Sequence, residues 1–214
     1  MNLKKQIEAL KIKSAENIPE EIKEQMNEAA HNLKAKHLEK GALNKKNMIP
    51  KIVLENAVGE KVNVNDLLDN GPLILSFFRG AWCPYCNLEL QAYEEIVPDI
   101  KKAGGQFVAI SPEVPDGSLS LKEKHALTFE ILSDIENSVA KAFGLVFKLE
   151  EKLIPIYEKI GIDLVESQKN KNYELPMPAT YVVNQQGEIV FAHIDSDYIN
   201  RLEPTTALEV LEKL

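Results

Sequence analysis

The chain has 214 residues, 44% hydrophobic and 27% charged, with a formal net charge of −8 and only two cysteines. That is enough apolar material for one core with an appendage, and no apolar run approaches the roughly 20 residues of a membrane span. Eleven lysines against seven acidic residues put +4 on residues 1–51 and leave −12 on the remainder, an acidic body that argues against nucleic acid as the main partner.

Near the start, Gln6, Glu8 and Lys11 interrupt any apolar h-region, so a cytoplasmic protein is expected. Ile22, Met26, Ala29, Ala30 and Leu33 recur at helical spacing, and Pro19-Glu20-Glu21 suits a first turn, which predicts a helical arm. Its apolar stripe has to cover something, either its own domain or a second subunit in a homodimer. The Lys-rich stretch Lys40–Lys46, with Gly41 and Asn44, reads as a linker, which divides the chain into an arm at 1–46 and a main domain at 47–214.

From there strands alternate with helices. Residues 52–56 and 61–64 flank Val58-Gly59-Glu60 as a hairpin, and Pro72–Phe78 is a short apolar run rich in strand formers. Asn87–Lys102 carries Leu88, Tyr93, Ile96 and Ile100 at helical spacing, and Gln106–Ser111 reads as a buried strand. A helix over 119–127, a strand over 129–132 and a helix over 137–143 follow, then an insertion, Phe147–Lys171, whose pattern assigns no element. Residues 179–183 and 188–193 flank Asn184-Gln185-Gln186-Gly187 as a second hairpin, and 205–214 closes as a helix. The order implies an α/β domain with a central mixed sheet flanked by helices, preceded by the helical extension.

Both cysteines lie in Trp82-Cys83-Pro84-Tyr85-Cys86, at the predicted junction of strand and helix. Residues i and i+3 on a helix have Cβ atoms about 5–6 Å apart, within reach of a disulfide, and so small a loop adds little chain-entropy stabilisation. A bridge of that kind suits a redox couple. Cys83 falls at the N-cap and Pro84 at the first helical position, where unpaired N–H groups and the helix dipole favour a thiolate. Cys83 is therefore the expected nucleophile and Cys86 the resolving thiol, with a redox-active Cys83–Cys86 disulfide in place of any cofactor. A zinc site would need four ligands, and His31, His37, His125 and His193 show no such spacing to the cysteines. Trp82, Pro84 and Tyr85 are expected to shape the pocket beside the sulfur. Arg79, four residues before Cys83, is a candidate to stabilise its thiolate or a peroxide oxygen; Arg201, the other arginine, receives no role.

The run Phe77-Phe78-Arg79-Gly80-Ala81-Trp82-Cys83-Pro84-Tyr85-Cys86-Asn87-Leu88-Glu89-Leu90, followed by Phe107–Glu113, resembles the peroxiredoxin-like proteins of the AhpC/TSA superfamily, from about Ile49 onward. The resemblance implies a thioredoxin fold, with Pro178 at the position of the cis-proline that faces the first cysteine. It also implies peroxide reduction, with a thioredoxin- or glutathione-type reductant. In the family's Pro-x-x-x-Thr/Ser-x-x-Cys pattern this chain places Ser76 and Gly80. Where thioredoxins carry a buried Asp six residues before the first cysteine, Phe77 stands here, and Cys-Pro-Tyr-Cys is the glutaredoxin dipeptide pattern. Disulfide exchange on a protein or glutathione disulfide and a non-enzymatic redox sensor are the competing readings.

Overall fold

The computed structural model describes residues 2–214. In chain order the helices are α1 (Leu3–Asn17), α2 (Glu20–Ala35), α3 (Val64–Leu67), α4 (Pro84–Lys102), α5 (Pro115–His125), α6 (Ser138–Ala142), α7 (Ile154–Lys159), α8 (Leu164–Gln168) and α9 (Pro204–Leu211). The strands are β1 (Val53–Asn56), β2 (Lys61–Asn63), β3 (Leu73–Phe77), β4 (Gln106–Ser111), β5 (Glu130–Ser133), β6 (Val146–Lys148), β7 (Glu174–Pro176), β8 (Ala179–Val183) and β9 (Ile189–Ile194).

Seven strands form one mixed sheet in the order β2-β1-β5-β4-β3-β8-β9. β3, β4 and β5 run parallel, joined by α4 and α5 as crossovers, while β8 returns antiparallel against β3 and pairs with β9 as a hairpin. All five residues of β3 are buried, because helices cover both faces; this is why the segment reads as a continuous apolar run rather than an alternation. On one face Ile74, Ala109, Ile131 and Val182 pack under α1, α4 and α9. On the other, Leu73, Leu75 and Phe77 meet Val139, Phe143 and Tyr181. There the rings of Phe77, Phe143 and Tyr181 lie 4.8–6.0 Å apart, and such pairs add about 0.5–1.5 kcal/mol each beyond area burial.

The arm contains two helices where the apolar stripe predicts one. α1 is held at its start by Asn2, whose side chain accepts from Lys5 N, and by the Glu203 carboxylate, which accepts from the Leu3 and Lys4 N–H groups. Leu3 and Ile7 then pack into the core cluster of α4. The predicted stripe belongs to α2, and it packs on the insertion: Ile22 and Ala29 join Leu149, Leu153, Ile156 and Tyr157 in a separate cluster.

The Lys-rich stretch is a stitched segment rather than a free linker, because Leu43 N donates to Phe143 O and Lys46 N to Ile189 O. A Cβ on Gly144 would stand 2.7 Å from Gly41 O, so this close approach requires glycine, which also supplies the φ of +72°. The insertion holds α7 and α8 between β6 and β7, and β6 pairs antiparallel with β7. The described peptide bonds are all trans, Pro178 included, which corrects the cis expectation. Met177 N donates to Leu145 O between β7 and β8, and Pro178 follows in the trans form that X–Pro bonds ordinarily take.

Candidate active site

The redox loop spans the gap between the central strand and α4 and is pinned on both sides. Cys83 N donates to Gly80 O, the Asn87 amide donates to Ala81 O at 2.8 Å, and the Glu113 carboxylate, arriving from the end of β4, accepts from Ala81 N at 2.7 Å. Gly80 has φ +145°, and a Cβ there would lie 2.4 Å from the Trp82 indole nitrogen and 3.0 Å from the Glu113 carboxyl carbon. The turn therefore excludes the side chain that the family's hydroxyl pattern places at that position.

Cys83 is the N-cap of α4 and Pro84 its first residue. Both sulfurs are free thiols, with Cys83 1% and Cys86 0% exposed. Burial alone would push the Cys83 thiol up; a hydrogen bond from Cys86 and the charges of Arg79 and Arg201 outweigh it and hold Cys83 down at about 6. Cys86 moves the other way. Burial, its hydrogen bond to Cys83 and the Cys83 charge push it well above the ordinary thiol range, against the pull of Arg201. One thiol is thus ready as a nucleophile near neutral pH while the other keeps its proton.

Each sulfur has an arginine. Arg79, 3% exposed, donates to the Tyr157 hydroxyl and lies 4.5 Å from the Tyr198 ring centre and 4.9 Å from that of Trp82. Its Nε has no partner among the described residues, and no ion pair there joins it to a carboxylate. Arg201 donates to the Cys86 sulfur at 3.3 Å, to Tyr198 O at 2.7 Å, and to the buried carboxylate of Glu89 one turn further along α4. Glu113 is 4% exposed, and burial lifts its carboxyl to about 7, against the Ala81 N–H bond and with help from Cys86. It is a group able to hold or release a proton close to neutrality.

The structure brings Cys83, Cys86, Arg79 and Trp82 together, but the walls of the adjoining pocket differ from expectation. Arg79 and Pro178 line it with Tyr157 and Tyr198, whereas Trp82, Pro84 and Tyr85 do not. The Trp82 indole instead packs edge-on against Tyr157 over Arg79, and Tyr85 turns toward Tyr198. Sequence reasoning passed over Arg201, Tyr198, Tyr157, Glu89 and Glu113. Only Arg201 carried a signal, as one of two arginines in the chain. Among the described residues no group of three His, Cys, Asp or Glu is placed to hold a metal ion, and no helix is long and apolar enough to cross a membrane.

Comparison with known proteins places this geometry. The chain is 31% identical over 96 residues to peroxiredoxin Bcp of Escherichia coli K12, a stretch that covers 45% of this chain and 61% of that protein. It is 25% identical over 142 residues to the thiol-disulfide oxidoreductase ResA of Halalkalibacterium halodurans, covering 66% and 63% respectively. In both cases the match spans less than two thirds of the relative's length. Among solved structures, peroxidoxin BcpB of Mycobacterium tuberculosis superposes with a TM-score of 0.66 at 17% identity, over 80% of this chain and 98% of the other. Peroxiredoxin Q of Xanthomonas campestris gives 0.59 at 16% identity, over 76% and 90%. Those superpositions identify the architecture as the thioredoxin fold of peroxiredoxins. The AhpC/TSA family model matches residues 46–192, which takes in the redox loop, the strands that hold it and Pro178, and on that match the chain belongs to the AhpC/TSA family.

Proposed function

We propose that this protein is a thiol-dependent peroxidase working through its Cys83–Cys86 pair. The Cys83 thiolate attacks the distal peroxide oxygen and breaks the O–O bond; sulfur is oxidised to the sulfenic acid, and the leaving alkoxide or hydroxide takes up a proton to become alcohol or water. Cys86 then displaces the sulfenic hydroxyl, which leaves as water with the Cys86 proton, and a disulfide forms. A thioredoxin- or glutathione-type thiol supplies the two electrons and two protons that reopen it.

The observation that carries this reading is a buried thiolate beside a buried, permanently charged arginine that has no carboxylate partner among the described residues. Arg79 offers a fixed cationic donor for peroxide oxygens and for the charge that develops on the leaving oxygen. The 1% exposure of Cys83 supports a small substrate over the disulfide of a folded protein, which needs the attacking sulfur at the surface. Family membership and the peroxiredoxin names of the relatives agree with it.

Stopped-flow fluorescence of the reduced protein mixed with hydrogen peroxide tests the reading, since Trp82 is the only tryptophan and adjoins Cys83. A rate far above that of a free cysteine, lost in Cys83→Ser, is expected. A rate no faster than free thiol sinks the peroxidase reading and leaves disulfide exchange.

A further inference from the structure

Cys86 is 0% exposed, so a proton that it gains or loses has to travel through protein. Arg201 donates from one terminal nitrogen to the Cys86 sulfur at 3.3 Å and from the other to the Glu89 carboxylate, which sets thiol and carboxylate side by side on one guanidinium. Burial pushes the Glu89 carboxyl up, against Arg201 and with help from the Cys86 charge, so it takes up a proton more readily than an ordinary carboxylate. Tyr93 follows Glu89 by one turn on the same face of α4.

Beneath that face the sheet carries a polar row among apolar neighbours. Ser76, Thr180 and His193 pair across β3, β8 and β9, on the same side of the sheet as Ile74, Val182 and Phe191, which pack under α4. Ser76 and Tyr93 are 0% exposed and Thr180 1%. The Ser76 hydroxyl, the Tyr93 hydroxyl and His193 Nε2 are buried with no hydrogen-bond partner among the described residues. Packing alone would favour apolar side chains there, since an unpaired buried polar group is unfavourable. Burial pushes Tyr93 far above the ordinary tyrosine range, with help from the Glu89 charge and against the Thr180 side chain, so its hydroxyl keeps its proton between the carboxylate and the row. A hydroxyl both donates and accepts, and so passes a proton on while ending as it began. His193 lies at the far end, half-buried on the edge strand β9. Burial holds its imidazole below the ordinary histidine value, against the Asp195 charge and with help from Arg201, which leaves it neutral near pH 7 and free to take up a proton.

We propose that Glu89, Tyr93, Thr180 and His193 form the proton route of Cys86, with His193 exchanging the proton with solvent at the sheet edge. The step it serves is the reopening of the disulfide. A reductant thiolate attacks the Cys83 sulfur, the S–S bond breaks, and Cys86 leaves with the electron pair and takes a proton from the route, which His193 replaces from solvent. A second thiol then releases Cys83 as thiolate and closes the reductant's own disulfide. The proposal takes from the peroxidase reading only the Cys83–Cys86 disulfide and the thiol that reopens it.

The test mixes the full chain, with the disulfide already formed, with dithiothreitol and follows reopening by Trp82 fluorescence, without peroxide. His193→Ala is expected to slow reopening about tenfold or more, less than the full worth of a positioned acid because solvent reaches the sheet edge. Added imidazole is expected to restore the rate; triazole, of the same shape but hardly basic, is not. Tyr93→Phe keeps the ring stacked on Phe107 and deletes only the hydroxyl, and it is expected to slow reopening with no response to imidazole. An unchanged rate in either variant overturns the route. So does rescue of His193→Ala by both azoles equally, or by neither, which would make His193 a packing residue. If the expected results hold while the reduced protein reacts with hydrogen peroxide no faster than a free thiol, the peroxidase reading fails and the route stands.

Discussion

The two halves of the redox pair carry the same thiol, are separated by one turn of α4, and each lies near an arginine, yet their surroundings act in opposite directions. Beside Cys83, Arg79 is enclosed by Trp82, Tyr157 and Tyr198, none of them a carboxylate, and its charge is left to act on the sulfur. Beside Cys86, burial and the hydrogen bond and charge of Cys83 prevail over the pull of Arg201, which is shared with Glu89. The difference teaches that nearness of an arginine does not by itself activate a thiol. What matters is whether the charge it offers outweighs burial and a neighbouring thiolate.

The sharpest way to break this asymmetry is to exchange the nucleophile. Cys83→Ser is expected to remove peroxide turnover down to background, whereas Cys86→Ser leaves the first oxidation of Cys83 intact and stalls it at the sulfenic acid, which a dimedone-type trap and mass spectrometry would detect. If Cys83→Ser kept turnover, the assignment of the two roles would be reversed.

Removing the activating charge comes next. With Arg79→Met, Cys83 is expected to titrate above its present value of about 6, toward the ordinary thiol range near 8.5. The thiolate fraction, and with it the oxidation rate near neutrality, falls by about tenfold or more, because each unit by which a pKa exceeds the pH costs about a factor of ten. The sign in the unmodified protein follows the same logic: the rate rises with pH through about 6, levels above it, and is lost as acid protonates the thiolate. An unchanged ultraviolet thiolate titration in Arg79→Met would show that the Cys86 hydrogen bond and Arg201 carry the effect without it.

On the other side, Arg201→Met leaves Glu89 buried without its counter-charge, and a loss of about 3–5 kcal/mol in denaturant unfolding is expected. Glu89→Gln sharpens the comparison, because it releases the Arg201 charge toward Cys86, whose titration should move down. If neither variant moves Cys86, the pull of Arg201 on that thiol is refuted.

The smallest expected effect belongs to Glu113. Below about 7 its carboxyl is neutral; above, its charge adds to those that hold Cys86 protonated. Glu113→Gln keeps an acceptor for Ala81 N–H but cannot ionise, so disulfide formation above neutrality should quicken by about two- to threefold relative to the unmodified protein. Identical pH profiles for the two proteins would confine Glu113 to holding the loop.

Legibility from sequence followed the length of the signal. β3, β4, α4 and the β8–β9 hairpin each present several residues of consistent periodicity or a plain turn signal, and the structure places them close to where the pattern does. Within 147–171, α7 and α8 have six and five residues, and the flanking strands β6 and β7 have three each, too few for a period to emerge. α1 was passed over because its apolar stripe is narrow, its dependable anchors being Leu3 and Ile7 against α4 and a cap from Glu203, about 200 residues away. The stripe on α2 was visible, but the partner it covers was not.

What the sequence determined by itself is the chemistry available: two cysteines three apart at a strand-to-helix junction, with proline at the first helical position and an arginine four residues upstream. Those are local features, fixed by helix geometry and the unpaired N–H groups of a helix start. Only the tertiary structure decided how that chemistry is tuned and approached. Arg201 lies 115 residues from Cys86 and Tyr157 lies 78 from Arg79. Glu113 reaches the redox loop from the end of a neighbouring strand, and the pocket joins α2 to the insertion. Charge, burial and cavity shape depend on separations of a few ångströms, which no local pattern records until the sheet brings these distant segments together.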